Sequence, residues 1–452
     1  VDLKQLISKY SMPGPRYTSY PTAPIWKNEH GVSDYQTQLR GCTNSDKPLA
    51  LYFHIPFCES LCYYCGCNIK ITKDHSGASI YVSALLNELA SVKKKLGANR
   101  KIHQICWGGG TPTFLSSNEM DRLHRGTLEL FEIVPDAEVS IEVDPRVTSF
   151  EQLNTLRTLG FNRISLGVQD FNPVVQKAVN RVQSLEQTRG LFQRARDLGF
   201  TRNNFDLIYG LPYQTLASFE ETVREVIAIK PDRIALYNYA HLPGMIKHQT
   251  ILDEMPMPSA EARVDIFSMA YNLLTANGYE AIGMDHFALK TDELYTAIES
   301  GSLYRNFMGY TVKKGSDLIG IGASAIGEVG DAYFQNVKEV KKYQAAVQNG
   351  DFATLRGCLL SADDVRRKWV IQRLMCNFQI SPALYYLTFG ESFDDKFGSE
   401  WANLDAFEAD GILQEFDSEF RVTDRGRLFV RNVAMLFDAY LKEKPKRYSS
   451  TV

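Results

Sequence analysis

The sequence predicts an α/β fold: a full or partial (β/α) barrel of the TIM type, preceded by an N-terminal arm and followed by a small, mostly α-helical C-terminal domain. Three observations carry this. Short β-like runs alternate with helical runs from about residue 50 to residue 330. Two of those runs alternate apolar and polar residues strictly. The character then changes after about residue 360, where helical segments surround a short β pair.

The elements follow in order. Residues 1–45 read as irregular, with Gly14-Pro-Arg-Tyr-Thr-Ser-Tyr-Pro-Thr22 rich in turn formers and aromatics, and are expected to form an arm lying over the active site. The β-like runs are Leu51–Ile55, Ile102–Trp107, Val139–Val143, Arg163–Val168, Phe205–Tyr209, Arg233–Asn238 and Tyr279–Met284. Helices are expected near 80–97, 117–131, 150–159, 184–199, 216–229 and 258–277. Strand, helix, strand at this spacing implies a parallel sheet with right-handed crossovers. In Val139-Ser-Ile-Glu-Val-Asp144 and Ile164-Ser-Leu-Gly-Val-Gln169 every second residue is apolar. The apolar set then packs under the helices and the polar set faces the lumen, with Glu142 and Gln169 at strand C-terminal ends, where such barrels place their chemistry. Ser361-Ala-Asp-Asp364 reads as a helix start, with the helix running to about Phe378. A wing-like β pair is expected around Ile412–Val422, a helix from about 425 to 442, and a solvated basic end at Lys442–Lys446. The domains are thus 1–45, 46–358 and 359–452.

Composition narrows the function. At 44% apolar and 23% charged the chain is an ordinary globular protein. Its 50 basic and 53 acidic residues leave a formal net charge of −3, a poor match to a general nucleic-acid binder. No stretch approaches the roughly 20 apolar residues of a membrane span. The first residues, VDLKQLISKY, contain no apolar h-region, so no secretory signal and a cytoplasmic location are expected.

Eight cysteines are present, and four lie together in Cys58-Glu-Ser-Leu-Cys62-Tyr-Tyr-Cys65-Gly-Cys67. The cluster directly follows the first β-like run and reads as metal or redox chemistry. A structural zinc site needs four closed ligands, usually in two separated pairs. Three thiolates crowded on one loop instead suit three irons of a cubane cluster, with the fourth iron open to a small chelating ligand. Cys67, two residues on, reads as a fourth ligand, a catalytic thiol or a packed residue. Cys106-Trp-Gly-Gly-Gly-Thr-Pro-Thr113 ends the second run; its glycines allow either a ligand to approach the backbone or a tight turn.

The C-x3-C-x2-C loop resembles that of the radical S-adenosylmethionine (SAM) superfamily, in which Cys58, Cys62 and Cys65 would hold a [4Fe–4S] cluster whose open iron binds SAM. A closer resemblance, to the oxygen-independent coproporphyrinogen III oxidase (dehydrogenase) family, runs nearly the whole chain. It rests on the Gly14–Thr22 segment, Tyr52-Phe-His-Ile-Pro-Phe-Cys58, Ile141-Glu-Val-Asp-Pro-Arg146, Gly167-Val-Gln-Asp-Phe171 and Asp206-Leu-Ile-Tyr-Gly-Leu-Pro212. It continues through Tyr239-Ala-His-Leu-Pro243, Met284-Asp-His-Phe-Ala288, Arg305-Asn-Phe-Met-Gly-Tyr-Thr311 and Gly320-Ile-Gly-Ala-Ser-Ala-Ile326.

The resemblance implies a barrel of the radical SAM type that binds two SAM molecules beside one cluster. Tyr52, Gly109, Glu142 and Ile326 match positions around the first; Tyr64, Gly110, Thr111, Gln169, Arg181, Asp206 and Ala240 match positions around the second. Tyr52 and Cys67 are the expected catalytic residues, Cys67 without ligating the cluster. Related heme chaperones lack that fourth cysteine. Apart from the family, Arg181 reads as a surface ion-pair partner, Asp206 as either functional or a buried hydrogen-bond anchor, and His54 and His286 as core histidines. Met308 departs from the family pattern, which often carries Gln there, and a thioether cannot replace an amide donor. The implied reaction is the oxidative decarboxylation of the ring A and B propionates of coproporphyrinogen III to give protoporphyrinogen IX. It would use an electron donor such as flavodoxin or ferredoxin and an unidentified acceptor, in a monomer that binds no nucleic acid. A heme chaperone, another tetrapyrrole-directed radical SAM enzyme, and a DNA-binding role for the wing-like hairpin are the rival expectations.

Overall fold

Cβ-branched and aromatic runs bounded by capped helices build the sheet expected for the middle of the chain. The computed structural model describes residues 3–97, 100–441, 448 and 451. It divides into two compact units: Lys27–Gly278 with Gly315–Leu359, and the residues up to Trp26 with Tyr279–Lys314 and Leu360 onward.

In the larger unit, strands β1 (Leu49–Ile55), β2 (Ile102–Gly109), β3 (Ile133–Val143), β4 (Arg163–Gln169), β5 (Asn204–Tyr209) and β6 (Arg233–Asn238) pair in sequence order, all parallel. Helices α1 (Ala78–Leu96), α2 (Ser117–Leu130), α3 (Phe150–Thr158), α4 (Leu185–Asp197) and α5 (Leu216–Ile229) fill the five crossovers. Their starts are chemically specified. Ser116 with Glu119, Ser149 with Gln152 and Thr215 with Ser218 form reciprocal capping boxes that satisfy orphan N–H groups. Val139, Ile141 and Val143, and likewise Ile164, Leu166 and Val168, are buried, while Glu142 is accessible from the other face. The period-two reading of both strands therefore holds.

On the far side of β1 lies β7 (Asp317–Ile321), also parallel to it, followed by an antiparallel meander of β8 (Ile326–Glu328), β9 (Ala332–Asn336) and β10 (Thr354–Leu359). Within this unit the order is thus β10-β9-β8-β7-β1-β2-β3-β4-β5-β6, a partial barrel. The sequence reading missed these four strands. They are short, and their glycines blur the pattern. Gly320 is required because a Cβ there would lie 2.4 Å from the Ile326 carbonyl oxygen.

Three expectations need correction. Tyr279–Met284 does not continue the parallel series. Tyr279–Gly283 pairs antiparallel with His286–Leu289 in the smaller unit, and Met284, at φ 39°, belongs to the tight turn between them. Residues 1–45 are not irregular: Leu3–Tyr10 and Val32–Gly41 are helices, the second burying Tyr35 and Leu39. The helix expected over 425–442 is shorter, a 3₁₀ turn at Gly426–Phe429 and then Val430–Met435. Lys442–Lys446 lies outside the described residues.

In the smaller unit the helix Ala362–Asn377 starts in a Ser361–Asp364 capping box, as expected. The wing pair is Leu413–Phe416 with Glu419–Val422, joined by Gln379–Ile380. Arg431 donates to the carbonyl of Pro15 and bonds that of Gly14, and Tyr17 donates to Asp438 at 3.1 Å, so the N-terminal segment is tied to the helix Val430–Met435 and to the segment that follows it.

Candidate active site

The four clustered cysteines leave the C-terminal end of β1, the central parallel strand, on a loop that the neighbouring strand ends surround. Four clamps hold that loop. The Tyr63 N–H donates to the Val179 carbonyl at 3.0 Å and Asn180 Nδ2 to the Leu61 carbonyl at 2.7 Å. Gln249 Nε2 donates to the Tyr64 carbonyl at 2.9 Å, and His248 Nε2 sits 2.7 Å from the Cys65 carbonyl. The Tyr64 ring packs on a buried cluster of Val175, Val179, Leu211, Tyr239 and Leu252.

Cys62 is the buried thiol of the three and is the best supplied with donors. Arg146 Nη2 lies 3.5 Å and Arg181 Nη1 3.6 Å from its sulfur. Both guanidinium groups also grip Asp144, at 2.7 and 3.1 Å. Burial alone would push the Asp144 carboxyl up, but Arg181 and Arg146 pull it down to about 2. Arg181 further donates to the Gly167 carbonyl at 2.6 Å, and its Nε has no partner among the described residues. Cys58 sits 3.4 Å from the Thr111 hydroxyl, with burial pushing its thiol up to about 11. Cys65 and Cys67 share a hydrogen bond that lowers the first thiol and raises the second. Cys67 is solvent-accessible beside Gly66.

The glycine run after β2 works differently from an open ligand floor. A Cβ on Gly108 would lie 2.9 Å from the Glu142 carboxyl, one on Gly109 2.5 Å from the His54 ring, and one on Gly110 2.7 Å from the Pro56 carbonyl carbon. Each glycine admits a protein group, and Gly109 also takes φ +114°. Glu142 accepts the Gly109 N–H at 3.0 Å. The protein walls of the lumen around it, with Asp206 and Cys65 nearby, push this carboxyl up to about 7, against the pull of that N–H. Tyr52 Oη lies 3.2 Å from His54 Nδ1, and His54 Nε2 lies 2.9 Å from the Asn68 carbonyl. Burial holds the Tyr52 phenol well above its ordinary value and lowers His54, so the imidazole is neutral.

Farther round the lumen, Asp206 accepts from Ser165 at 3.1 Å and Asn204 at 2.9 Å. Gln169 takes a left-handed backbone, φ +67°, and its buried Oε1 has no partner among the described residues. The Ala240 carbonyl accepts from Gln249 at 3.3 Å. Ile326 opens β8.

The sequence profile of the Radical SAM superfamily matches residues 52–226, and that of the HemN C-terminal domain matches residues 360–429. Oxygen-independent coproporphyrinogen III oxidase of Pseudomonas aeruginosa is 43% identical over 99% of this chain and 98% of its own length. The Escherichia coli enzyme of that name is 43% identical over 98% of this chain and 96% of its own. The solved structure of coproporphyrinogen III oxidase (HemN) from Escherichia coli, described as a radical SAM enzyme, superposes with a TM-score of 0.92 at 42% identity, covering 98% of this chain and 100% of that one. The chain belongs to the oxygen-independent coproporphyrinogen III oxidase family.

Radical SAM proteins carry a [4Fe–4S] cluster and SAM, and the residues fit those groups. Among the described residues no three His, Cys, Asp or Glu side chains are arranged to hold one metal ion. Three soft thiols on one loop, with two guanidinium donors on one of them, are a donor set suited to a multi-iron cluster. The orphaned Gln169 Oε1 and Arg181 Nε are polar atoms left for a ligand. Sequence reasoning did not single out Asp144, Arg146, His248 or Gln249 in this oxidase-family site. Asp144 and Arg146 stood within a matched segment; His248 and Gln249 carried no signal, because their partners are backbone carbonyls distant in sequence.

Proposed function

We propose that this chain removes the ring A and B propionate carboxyls of coproporphyrinogen III oxidatively, giving the vinyl groups of protoporphyrinogen IX in heme biosynthesis without oxygen. The observation that carries the reading is the Cys58–Cys65 loop seated among Thr111, Glu142, Asp144 and Arg181, in a chain that matches such oxidases over almost its entire length.

Each propionate side chain loses one β-hydrogen atom, CO2 and one electron to become a vinyl group. The β-hydrogen is unactivated, and no side-chain acid or base removes it. When bound, the cluster and SAM supply the carbon-centred radical chemistry this requires. The chain itself orients and shields. Cys58, Cys62 and Cys65 are the cluster ligands. Glu142, fixed by the Gly109 N–H, faces the lumen as an acceptor for an ammonium or ribose hydroxyl. Tyr52, locked by His54, presents a neutral phenol.

Two SAM molecules are part of this reading. Tyr52, Gly109, Glu142 and Ile326 hold the one at the cluster. Tyr64, Gly110, Thr111, Gln169, Arg181, Asp206 and Ala240 hold the other, with Gln169 Oε1 and Arg181 Nε as its open polar atoms. Cys67 acts as a thiol beside the cluster and not as a ligand. Residues 1–45 serve as an N-terminal arm, 46–358 as the catalytic domain and 359–452 as a C-terminal domain. The protein works as a cytoplasmic monomer, fed by flavodoxin or ferredoxin and drained by a separate electron acceptor.

The test is anaerobic. The protein is reconstituted with iron and sulfide, then given SAM, a strong reductant, coproporphyrinogen III and cell extract as the source of acceptor. Protoporphyrin and 5′-deoxyadenosine, both lost in Cys62→Ser, are expected. SAM cleavage without decarboxylation would assign a different tetrapyrrole substrate. An intact cluster with tight heme binding and neither product would replace the enzyme with a heme carrier.

A further inference from the structure

The loop that carries the cysteines opens, immediately after Cys67, onto a surface recess of about 410 Å³. Its walls are Asn68–Lys70 and Lys338–Lys341, joined by a 2.9 Å bond from Asn68 Nδ2 to the Lys338 carbonyl. Lys70, Lys338 and Lys341 are exposed around it, and among the described residues none of the three has a carboxylate within ion-pair distance. The one carboxylate in the wall, Glu339, is paired with Lys342 at 2.9 Å. The Lys70 ammonium lies over the Phe57 ring, 5.7 Å from its centroid. A protein of net charge −3 thus gathers three ammonium groups, with no carboxylate partner among the described residues, at one concave place.

That place is joined to the cysteine loop through the backbone. Lys70 and Ile71 pair as a strand with Phe57 and Cys58; the Lys70 N–H donates to the Pro56 carbonyl at 2.7 Å and the Thr72 N–H to the Cys58 carbonyl at 2.9 Å. One strand spacing, about 5 Å, therefore separates the lysine-bearing segment from the backbone of a cluster-ligand cysteine. The Asn68 carbonyl is the partner of His54, which in turn holds Tyr52.

We propose that this recess is the docking surface for the protein that delivers the electron: a small acidic carrier with a low-potential one-electron centre. The inference rests on the radical SAM reading of the site. In the transfer the carrier loses one electron and the cluster gains one, with no proton or group moved. The lumen is to be occupied by SAM and substrate, so the electron enters from the protein surface, where the three lysines are exposed beside the recess. Exposed lysines without carboxylate partners on a small concave surface suit a brief encounter steered by charge, with a fast on-rate that salt weakens.

The test compares two reductants on the reconstituted holoenzyme: reduced flavodoxin as the acidic carrier and dithionite as a small reductant that needs no docking surface. Cluster bleaching is followed by stopped-flow absorbance, and flavodoxin binding by titration calorimetry. The triple charge reversal Lys70→Glu, Lys338→Glu, Lys341→Glu is expected to slow bleaching by flavodoxin at least tenfold at 50 mM salt. The difference should shrink toward parity at 500 mM, flavodoxin binding should weaken in parallel, and the dithionite rate should not change. The milder Lys70→Met, Lys338→Met, Lys341→Met variant is expected to fall between, and provides the test if charge reversal impairs folding. A flavodoxin rate and affinity equal to the parent's in both variants would overturn the docking surface. A parent protein that takes up no cluster reducible by dithionite would instead overturn the radical SAM reading on which it stands.

Discussion

Arg146 reaches the sulfur of Cys62 with the same nitrogen, Nη2, that binds Asp144: 3.5 Å to the sulfur and 2.7 Å to the carboxylate. The guanidinium thereby spans a proposed cluster ligand and the acid that fixes its own position. A donor to a ligand sulfur stabilises the more negative, reduced cluster. Arg146→Met keeps much of the packing and leaves Asp144 paired with Arg181. The midpoint potential of the bound cluster should fall. Roughly 1 kcal/mol of lost differential stabilisation corresponds to about 40 mV in a one-electron couple. An EPR-monitored redox titration reads it, and an unchanged potential with full iron content would assign Arg146 to loop packing alone.

Glu88 on α1 is fully enclosed. It accepts from the Gly322 N–H at 2.8 Å, the Tyr343 hydroxyl at 2.7 Å and Asn336 Nδ2 at 2.7 Å. Burial outweighs these donors and pushes its carboxyl from 4.5 up to about 7. The folded state therefore binds this proton more tightly than the unfolded state. Its contribution is complete below about pH 4.5 and is lost as the pH rises through about 7, up to roughly 3 kcal/mol. Glu88→Gln should flatten that part of the stability profile, measured as the denaturation midpoint from pH 5 to pH 8. An equally steep profile in the variant would place the titration elsewhere.

Gly109→Ala places a methyl group against the His54 ring at a φ that L-residues rarely adopt. Strain and overpacking together should cost about 2–4 kcal/mol. His54 would have to leave Asn68, loosening Tyr52. Adding His54→Ala should recover part of the lost melting temperature by removing the clash, while the backbone strain persists. Full recovery in the double variant would mean that φ carries no cost.

Gln249, almost wholly buried, ties three backbone groups. Its Nε2 donates to the carbonyls of Tyr64 and Ala240, and its Oε1 accepts the Leu242 N–H at 2.6 Å. Gln249→Leu leaves all three unmet at similar volume and should destabilise the protein by about 2–4 kcal/mol. Hydrogen exchange should rise around Tyr64 and Leu242, and cluster reconstitution should slow. Protection equal to the parent's would remove Gln249 from the loop's support.

Much of the parallel sheet was legible because its signals are local. Alternation along Val139–Val143 and Arg163–Val168, and the caps at Ser116, Ser149 and Thr215, all lie within a few residues of the structure they specify. The cysteine spacing is equally local, and so is the loop that carries it. Tyr279–Met284 misled because a β-like run states a strand and not its partner. Only the turn at Met284 makes it a hairpin. The strands from Asp317 to Leu359 escaped because their apolar runs are short and interrupted by glycines whose purpose, as at Gly320, is a carbonyl elsewhere in the chain.

What the sequence by itself determined is the inventory: which strands are buried on one face, where helices begin, and that three thiols leave the first strand on one loop. Tertiary structure alone decided what those groups meet. Arg181 and Arg146 converge on Cys62 through Asp144, Glu142 and His54 fill the space that Gly108 and Gly109 leave, and three separated lysines surround one recess. Periodicity and capping act over a few residues, so a linear chain displays them. Ion pairs, Cβ collisions and recesses depend on distances between atoms far apart in sequence, and folding alone sets those distances.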